Sequence, residues 1–200
     1  MTKELLFATG NQNKVRELAS LTAGMDLRVL SLRDFPGFTP PPETGKTFRE
    51  NAAIKARSAC AYTGMAALAD DSGLCVAALN GAPGVFSARY SGEDASAESN
   101  NEKLLWEMAA VPDGARDAYF ACVFCLSLPD GRDFFSEGRV DGSILKEYRG
   151  ENGFGYDPLF FVTEKGKGMA EMSLAEKNLI SHRSRAFEGI IAALSSLFAK

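Results

Sequence analysis

The chain has 200 residues, 46% of them hydrophobic and 24% charged, and a formal net charge of −4. That balance fits a globular protein, one domain over residues 1–200, and excludes capture of nucleic acid by overall field. No apolar run approaches the roughly 18 residues that span a bilayer, and the apolar part of MTKELLFATG is too short for a signal peptide, so a cytoplasmic protein with no membrane or nucleic-acid partner is expected.

In chain order, residues 4–8 read as a strand. Residues 12–21 carry Val15, Leu18, Ala19 and Leu21 at helical spacing, and a short strand is expected at 27–30. The prolines and glycines of PGFTPPPETGK, residues 36–46, predict an exposed loop. An Ala-rich helix with Phe48, Ala52 and Ala59 on one side is expected over 47–62. A short strand over 65–69 then runs straight into Asp70-Asp71-Ser72-Gly73. Residues 95–110 read as a helix with Leu104, Leu105 and Met108 as its apolar side. The nearly all-apolar run 118–128 predicts a central strand, and the turn signal Pro129-Asp130-Gly131 joins it to the alternating run 133–140 as an antiparallel hairpin. A last helix over 183–198 has the stripe Phe187, Ile190, Ile191, Leu194 and Leu197. Early alternation of strands and helices, with a hairpin later, defines an α/β class with a mixed central sheet.

Cys122 and Cys125 form a C-x-x-C, which invites a zinc or redox reading. Inside a strand, however, residues i and i+3 face opposite sides, so these thiols cannot share a metal; all four cysteines are expected in the core.

Four stretches carry candidate chemistry. In TGNQNK a helix starts near Asn11 or Asn13, and the amides of its first turn, its dipole, the small Gly10 and the cationic Lys14 suit an anion; a capped helix after a tight turn explains the same residues. In ALADDSGLCV two adjacent carboxylates follow an apolar strand. Burying them is costly unless they are paired or metal-bound, and Mg²⁺ takes such oxygens together with substrate phosphates, with Glu43 as a second ligand; an exposed Asx turn is the alternative. In GENGFGYDPLFF, glycines beside Phe154 and Tyr156 let a flat ring slide against aromatic faces, with Asp157 accepting from a ring N–H; a β-turn with core aromatics is equally consistent. SLAEKNLISHRSRA offers a capping box at Ser173 and Glu176, then gathers Lys177, His182, Arg183 and Arg185. Cations at a helix start oppose the dipole, which suits an anionic or carbonyl-bearing partner; a structural His182 within an ordinary charge cluster explains the same residues.

TGNQNK, ENAAIKA, ADDSGL, GAPGVFSARYSG, GFGYDP and KNLISHR, in that order, make the chain resemble the inosine triphosphate pyrophosphatase family from Leu5 to about Leu197. The resemblance implies an elongated, two-lobed α/β homodimer with a long cleft. It implies Mg²⁺-dependent hydrolysis of ITP, dITP and XTP between the α and β phosphates, giving the monophosphate and pyrophosphate. It also implies the residue roles. Thr9, Gly10, Asn11, Gln12, Asn13 and Lys14 would hold the triphosphate, with Lys55 as a further phosphate cation. Glu43 and Asp71 would bind Mg²⁺, Asp71 would accept the proton of water, and Ser72 would touch substrate. Phe154, Gly155, Tyr156 and Asp157 would form the base pocket, closed by Lys177, His182 and Arg183. Two other readings are a related septum-site family acting on pyrimidine triphosphates, which GFGYDP and SHR disfavour, and a nucleotide-binding regulator without turnover, which would not need Asp71.

Overall fold

Strand β1, Lys3–Phe7, is followed by helix α1, Gln12–Leu21, and strand β2, Leu27–Ser31, which lies parallel to β1 with Leu5 opposite Val29. Helix α2, Phe48–Thr63, leads into strand β3, Ala67–Val76, which pairs parallel with the other edge of β1. Helix α3, Ala97–Glu107, precedes the hairpin strands β4, Asp117–Ser127, and β5, Asp133–Ile144. Two short strands, β6, Phe160–Val162, and β7, Lys167–Gly168, continue antiparallel, and helices α4, Leu174–Asn178, and α5, His182–Phe198, end the chain. The computed structural model describes residues 3–198, with side chains as far as residue 195, so the place of Leu197 in the last helical stripe lies outside the described residues.

Among the described residues the strands form one mixed sheet in the order β2-β1-β3-β4-β5-β6-β7, with β4 at its centre as its apolar run predicts. Two parallel pairings, each reached through a helix, and a later hairpin give the expected α/β class. Helix α2 starts where Thr47 and Glu50 close a capping box and stops where Gly64 adopts φ 68°, a left-handed cap that glycine takes without strain.

Two compact units divide the chain. One comprises the residues up to Asp71, Cys122–Gly138 and the segment from Arg183 on; the other comprises Ser72–Ala121 and Arg139–His182. In the first, strand alternation sorts side chains onto two faces. Leu5, Phe7, Leu68, Cys122 and Phe124 pack with Leu18 of α1 and with Ala186, Phe187, Ile190 and Leu194 of α5. Leu6, Ala8, Ala67, Ala69, Val123 and Cys125 pack against Ala52, Ala53, Ala56 and Ala59 of α2. Cys122 and Cys125 therefore lie in different layers as free, buried thiols. The second unit has its own core, in which Leu74, Leu104, Met108, Phe120, Tyr156, Phe160 and Met169 take part.

One expectation is corrected. The strand predicted to end at residue 69 runs on through Asp70 and Asp71 to Val76, so the acidic pair sits within a strand and forms no exposed turn. Acidic residues are poor strand formers, but here each finds a cation on its own side of the sheet, and that tertiary pairing overrides local propensity.

Candidate active site

The alternation that sorts the core also sorts the acids. Asp70 shares the face of Leu68, under α1 and α5; Asp71 shares the face of Ala67 and Ala69, under α2. Both are buried.

Asp71 Oδ1 accepts from Lys55 Nζ at 3.1 Å, and Asp71 Oδ2 accepts from Asn51 Nδ2 at 3.2 Å. The same ammonium reaches Glu43 Oε1 at 3.2 Å, which ties the proline-rich loop to α2. Asn51 Oδ1 in turn accepts from the Gly45 amide at 2.8 Å. A Cβ on Gly45 would stand 2.6 Å from that oxygen, so only glycine lets the loop come this close. Burial pushes Asp71 above its ordinary value and Glu43 adds to the push, while Lys55 pulls the other way. Burial alone would lower Lys55, but Asp71, Asp70 and Glu43 outweigh it and hold the ammonium charged. Two carboxylates facing one ammonium leave one surplus negative charge.

Sequence reasoning gave Asn51 no role. The signal was present in ENAAIKA, because Asn51 and Lys55 stand four apart on a helix and so share a face.

On the opposite side of β3, Asp70 Oδ2 accepts from Lys14 Nζ at 2.8 Å and from Arg183 Nη2 at 3.4 Å. Arg183 also donates through Nη1 to Glu17 Oε2. Burial opposes the charge on Asp70, yet Lys14, Arg183 and Lys55 hold the carboxyl well below the usual carboxylate range. The cation at the start of α5 thus has its anionic partners inside the protein. Lys177 does not share that position, because it lies in the last turn of α4, where the helix dipole favours a cation.

The TGNQNK turn is a capped helix start. Asn11 Oδ1 accepts from the amides of Asn13 at 2.9 Å and Lys14 at 3.4 Å, and the Asn11 amide donates to Thr9 Oγ1 at 3.2 Å. Those amides are satisfied within the loop, so its capacity for an anion rests on Lys14, the dipole and Gln12, whose Nε2 is buried without a hydrogen-bond partner among the described residues. Ser72 follows Asp71 on β3 and is half-buried.

In the second unit the GFGYDP loop is pinned at every residue from Phe154 to Asp157. Asp157 Oδ2 accepts from the Phe154 amide at 2.9 Å and from Lys177 Nζ at 2.6 Å. Gly153, at φ 78°, passes so near that a Cβ would stand 2.1 Å from the same oxygen. Asn101 Nδ2 donates to the Gly155 carbonyl at 3.0 Å, and the Tyr156 hydroxyl donates to the Ser87 carbonyl at 2.9 Å. Tyr156 is therefore a core ring with its polar end engaged, and burial pushes its phenol well above the ordinary value. Phe154 is the half-buried ring of the two, with Lys177 Nζ 4.7 Å from its centroid. His182 is buried and stacks on Phe120 at 4.9 Å. Asn101 and Ser87 were not among the expected site residues, because their bonds run to backbone atoms distant in sequence.

These features define an α/β protein with two layers of buried acid–cation pairs on one strand and a rigid aromatic loop beside a neutral lysine–aspartate pair. The chain belongs to the Ham1 family, whose model matches residues 5–193. A relative from Geobacter sulfurreducens named dITP/XTP pyrophosphatase is 54% identical over 182 residues, covering 91% of this chain and 92% of its own. The solved structure of the Staphylococcus aureus Ham1 protein superposes with a TM-score of 0.86 at 41% identity, covering 97% of this chain and 99% of that one. A HAM1 protein from Coxiella burnetii gives 0.87 at 41% identity over the same shares.

Proposed function

We propose that residues 1–200 work as a single nucleotide pyrophosphatase domain that hydrolyses deaminated purine nucleoside triphosphates, ITP, dITP and XTP, to the monophosphate and pyrophosphate. The observation that carries the reading is the arrangement at Asp71, a buried carboxylate oriented by Asn51 and paired with a lysine that it shares with Glu43. The name of the Geobacter sulfurreducens relative supports the substrate class.

Glu43 and Asp71 are the residues that would hold Mg²⁺. No group of three or more His, Cys, Asp or Glu residues forms a metal cage among the described residues. Mg²⁺ does not ask for one, since it is commonly held by one or two carboxylates plus substrate phosphates. The surplus negative charge around Lys55 fits that donor set. When bound, the ion neutralises the triphosphate and makes a coordinated water more acidic.

The chain's own residues supply the rest. Lys14, Lys55 and the start of α1 oppose the charge of a triphosphate and stabilise the charge that develops as the anhydride bond breaks. Thr9, Gly10, Asn11, Gln12 and Asn13 shape the turn that receives it, and Ser72 contacts it. Asp71 takes the proton of the attacking water, a role that its raised affinity for protons suits. Phe154, Gly155, Tyr156 and Asp157 form the base-binding loop, with Phe154 offering the ring face. Lys177, His182 and Arg183 close the pocket, with Arg183 or His182 donating toward a 6-keto oxygen and Asp157 accepting from N1–H. Adenine would bring an amino group to those donors, and an unpaired buried group costs about 1–3 kcal/mol.

The reading includes a cytoplasmic homodimer, to be checked by light scattering. Four buried, unbridged cysteines are in keeping with a reducing compartment, and no described helix is long and apolar enough to cross a membrane. The decisive experiment is a panel of nucleoside triphosphates with product analysis. ITP and XTP should release pyrophosphate, and EDTA should stop the reaction. Orthophosphate as the product, or ITP binding with no turnover, would overturn the reading; full activity in EDTA would remove the metal.

A further inference from the structure

We propose that Asp70 is a positioning residue whose single oxygen, Oδ2, fixes two cations at once: Lys14, assigned above to the triphosphate, and Arg183, assigned to the base. The inference rests on the functional reading above and extends it to a residue that the reading leaves without a task.

The geometry carries it. The Asp70 side chain has no exposed surface, and its Oδ2 is taken by the two cations. Lys14 Nζ lies 2.8 Å and Arg183 Nη2 3.4 Å from the same oxygen, and the Cys122 Sγ lies 3.9 Å from it. The guanidinium is held on a second side by Glu17, which sits three residues after Lys14 on α1 and so shares its face. Asp70, Glu17, Lys14 and Arg183 balance to zero charge, in contrast to the surplus at Asp71. Carboxylates already balanced by cations need no further cation, so they hold these side chains in place.

The anchor is also rigid. Asp70 belongs to β3, next to the central strand of the sheet, whereas Lys14 and Arg183 stand in the first turns of two separate helices. Without the carboxylate charge the two cations would lose the anion they share. Both would turn away, and both ends of the nucleotide would lose a partner together. A residue serving only stability would lower turnover of every triphosphate alike and leave their ratio unchanged.

The test separates these cases. Pyrophosphate release from ITP by the native protein is measured first; its absence would sink the proposed function rather than the role of Asp70. Asp70→Asn, checked for folding by circular dichroism, is then read in two ways. Inorganic triphosphate, which has no base, reports on the Lys14 arm as a competitive inhibitor, and the ITP-to-ATP ratio of kcat/KM reports on the Arg183 arm. Both should move, each by roughly 10- to 100-fold, the range typical when a group that orients another is lost. Glu17→Gln should lower the ITP-to-ATP ratio and leave inhibition by inorganic triphosphate as it was. A folded Asp70→Asn protein in which neither readout moves, or only one does, overturns the proposal. If Asp70→Asn does not fold, Glu17→Gln decides alone, and an unchanged ITP-to-ATP ratio overturns it.

Discussion

Asp71 and Asp157 are both buried carboxylates that a lysine holds, yet their surroundings differ in charge. Lys55 is divided between Asp71 and Glu43, which leaves that group one negative charge in excess. Lys177 has Asp157 at 2.6 Å, and both side chains are only 4% exposed, so this pair is balanced. Asp157 is further tied by the amide of its own loop, whereas Asp71 is oriented by a side chain from α2. The first arrangement carries a surplus negative charge, the feature on which the proposed metal role rests. The second is charge-balanced and fixes the backbone of its loop. The two regions therefore differ in what holds them: net charge at Asp71, backbone anchoring at Asp157.

The largest expected effect breaks the first half of this contrast. Asp71→Asn should lower kcat for ITP by about 10²- to 10⁴-fold, the usual worth of a positioned general base, while ITP still binds. Near-normal kcat would remove Asp71 as the proton acceptor.

The next effect lies in the second region. Lys177→Met leaves Asp157 buried with an uncompensated charge, which should cost about 3–5 kcal/mol of stability. Thermal unfolding measures it, and the double variant Lys177→Met/Asp157→Asn should recover much of the loss. An unfolding midpoint for Lys177→Met equal to that of the native protein would mean that the pair does not hold the loop.

Asp70 and Asp71 give a sharper comparison, because adjacent residues should respond with opposite signs. Asp71 has its folded-state value raised, so its stability contribution is full below the ordinary value of 3.8 and is lost as pH rises through the folded value. At neutral pH its charge is a burden, and Asp71→Asn should raise the unfolding temperature of the metal-free protein. Asp70 is depressed, so its contribution is present above 3.8 and is lost as pH falls through the folded value. Asp70→Asn should therefore lower the unfolding temperature at pH 7. Shifts of a few degrees are expected, since about 1 kcal/mol moves a chain of this size by roughly 2–4 °C. Equal shifts of the same sign would refute the division between the two faces of β3.

What the sequence disclosed follows from the range of the interactions. Helix α1 begins and ends where the spacing of Val15, Leu18 and Leu21 and the cap Asn11 put it, because caps and periodicity are local. The run of β4 and the opposite facing of Cys122 and Cys125 were legible for the same reason. The continuation of β3 through two carboxylates was not, since its stability comes from Lys14 and Lys55 on separate helices. Nor could the spacing of KNLISHR disclose that Arg183 turns inward to Glu17, 166 positions away. The candidate residues were visible as types in motifs. Of their partners, Asn51 had a signal in its spacing from Lys55, whereas Glu17, Asn101 and Ser87, which decide how the others are held, were visible only in three dimensions.

The smallest expected effect tests how the aromatic loop is held. Tyr156 sits in the core of the second unit, and its hydroxyl donates to the Ser87 carbonyl; Ser87 Oγ in turn accepts from the Leu74 amide at 3.0 Å and donates to the Gly84 carbonyl at 2.6 Å. Tyr156→Phe keeps the ring and removes one hydrogen bond, so urea unfolding should show a loss of about 1 kcal/mol. Ser87 O also accepts from Asn100 Nδ2 at 3.4 Å, so the carbonyl keeps a partner and the loss should not exceed that figure. If Tyr156 serves the loop by fixing its backbone, KM for ITP should rise modestly while kcat stays near its native value. If its hydroxyl instead met the substrate directly, the ITP-to-ATP ratio would change with stability unaltered, and the loop would be a contact surface rather than a fixed mould.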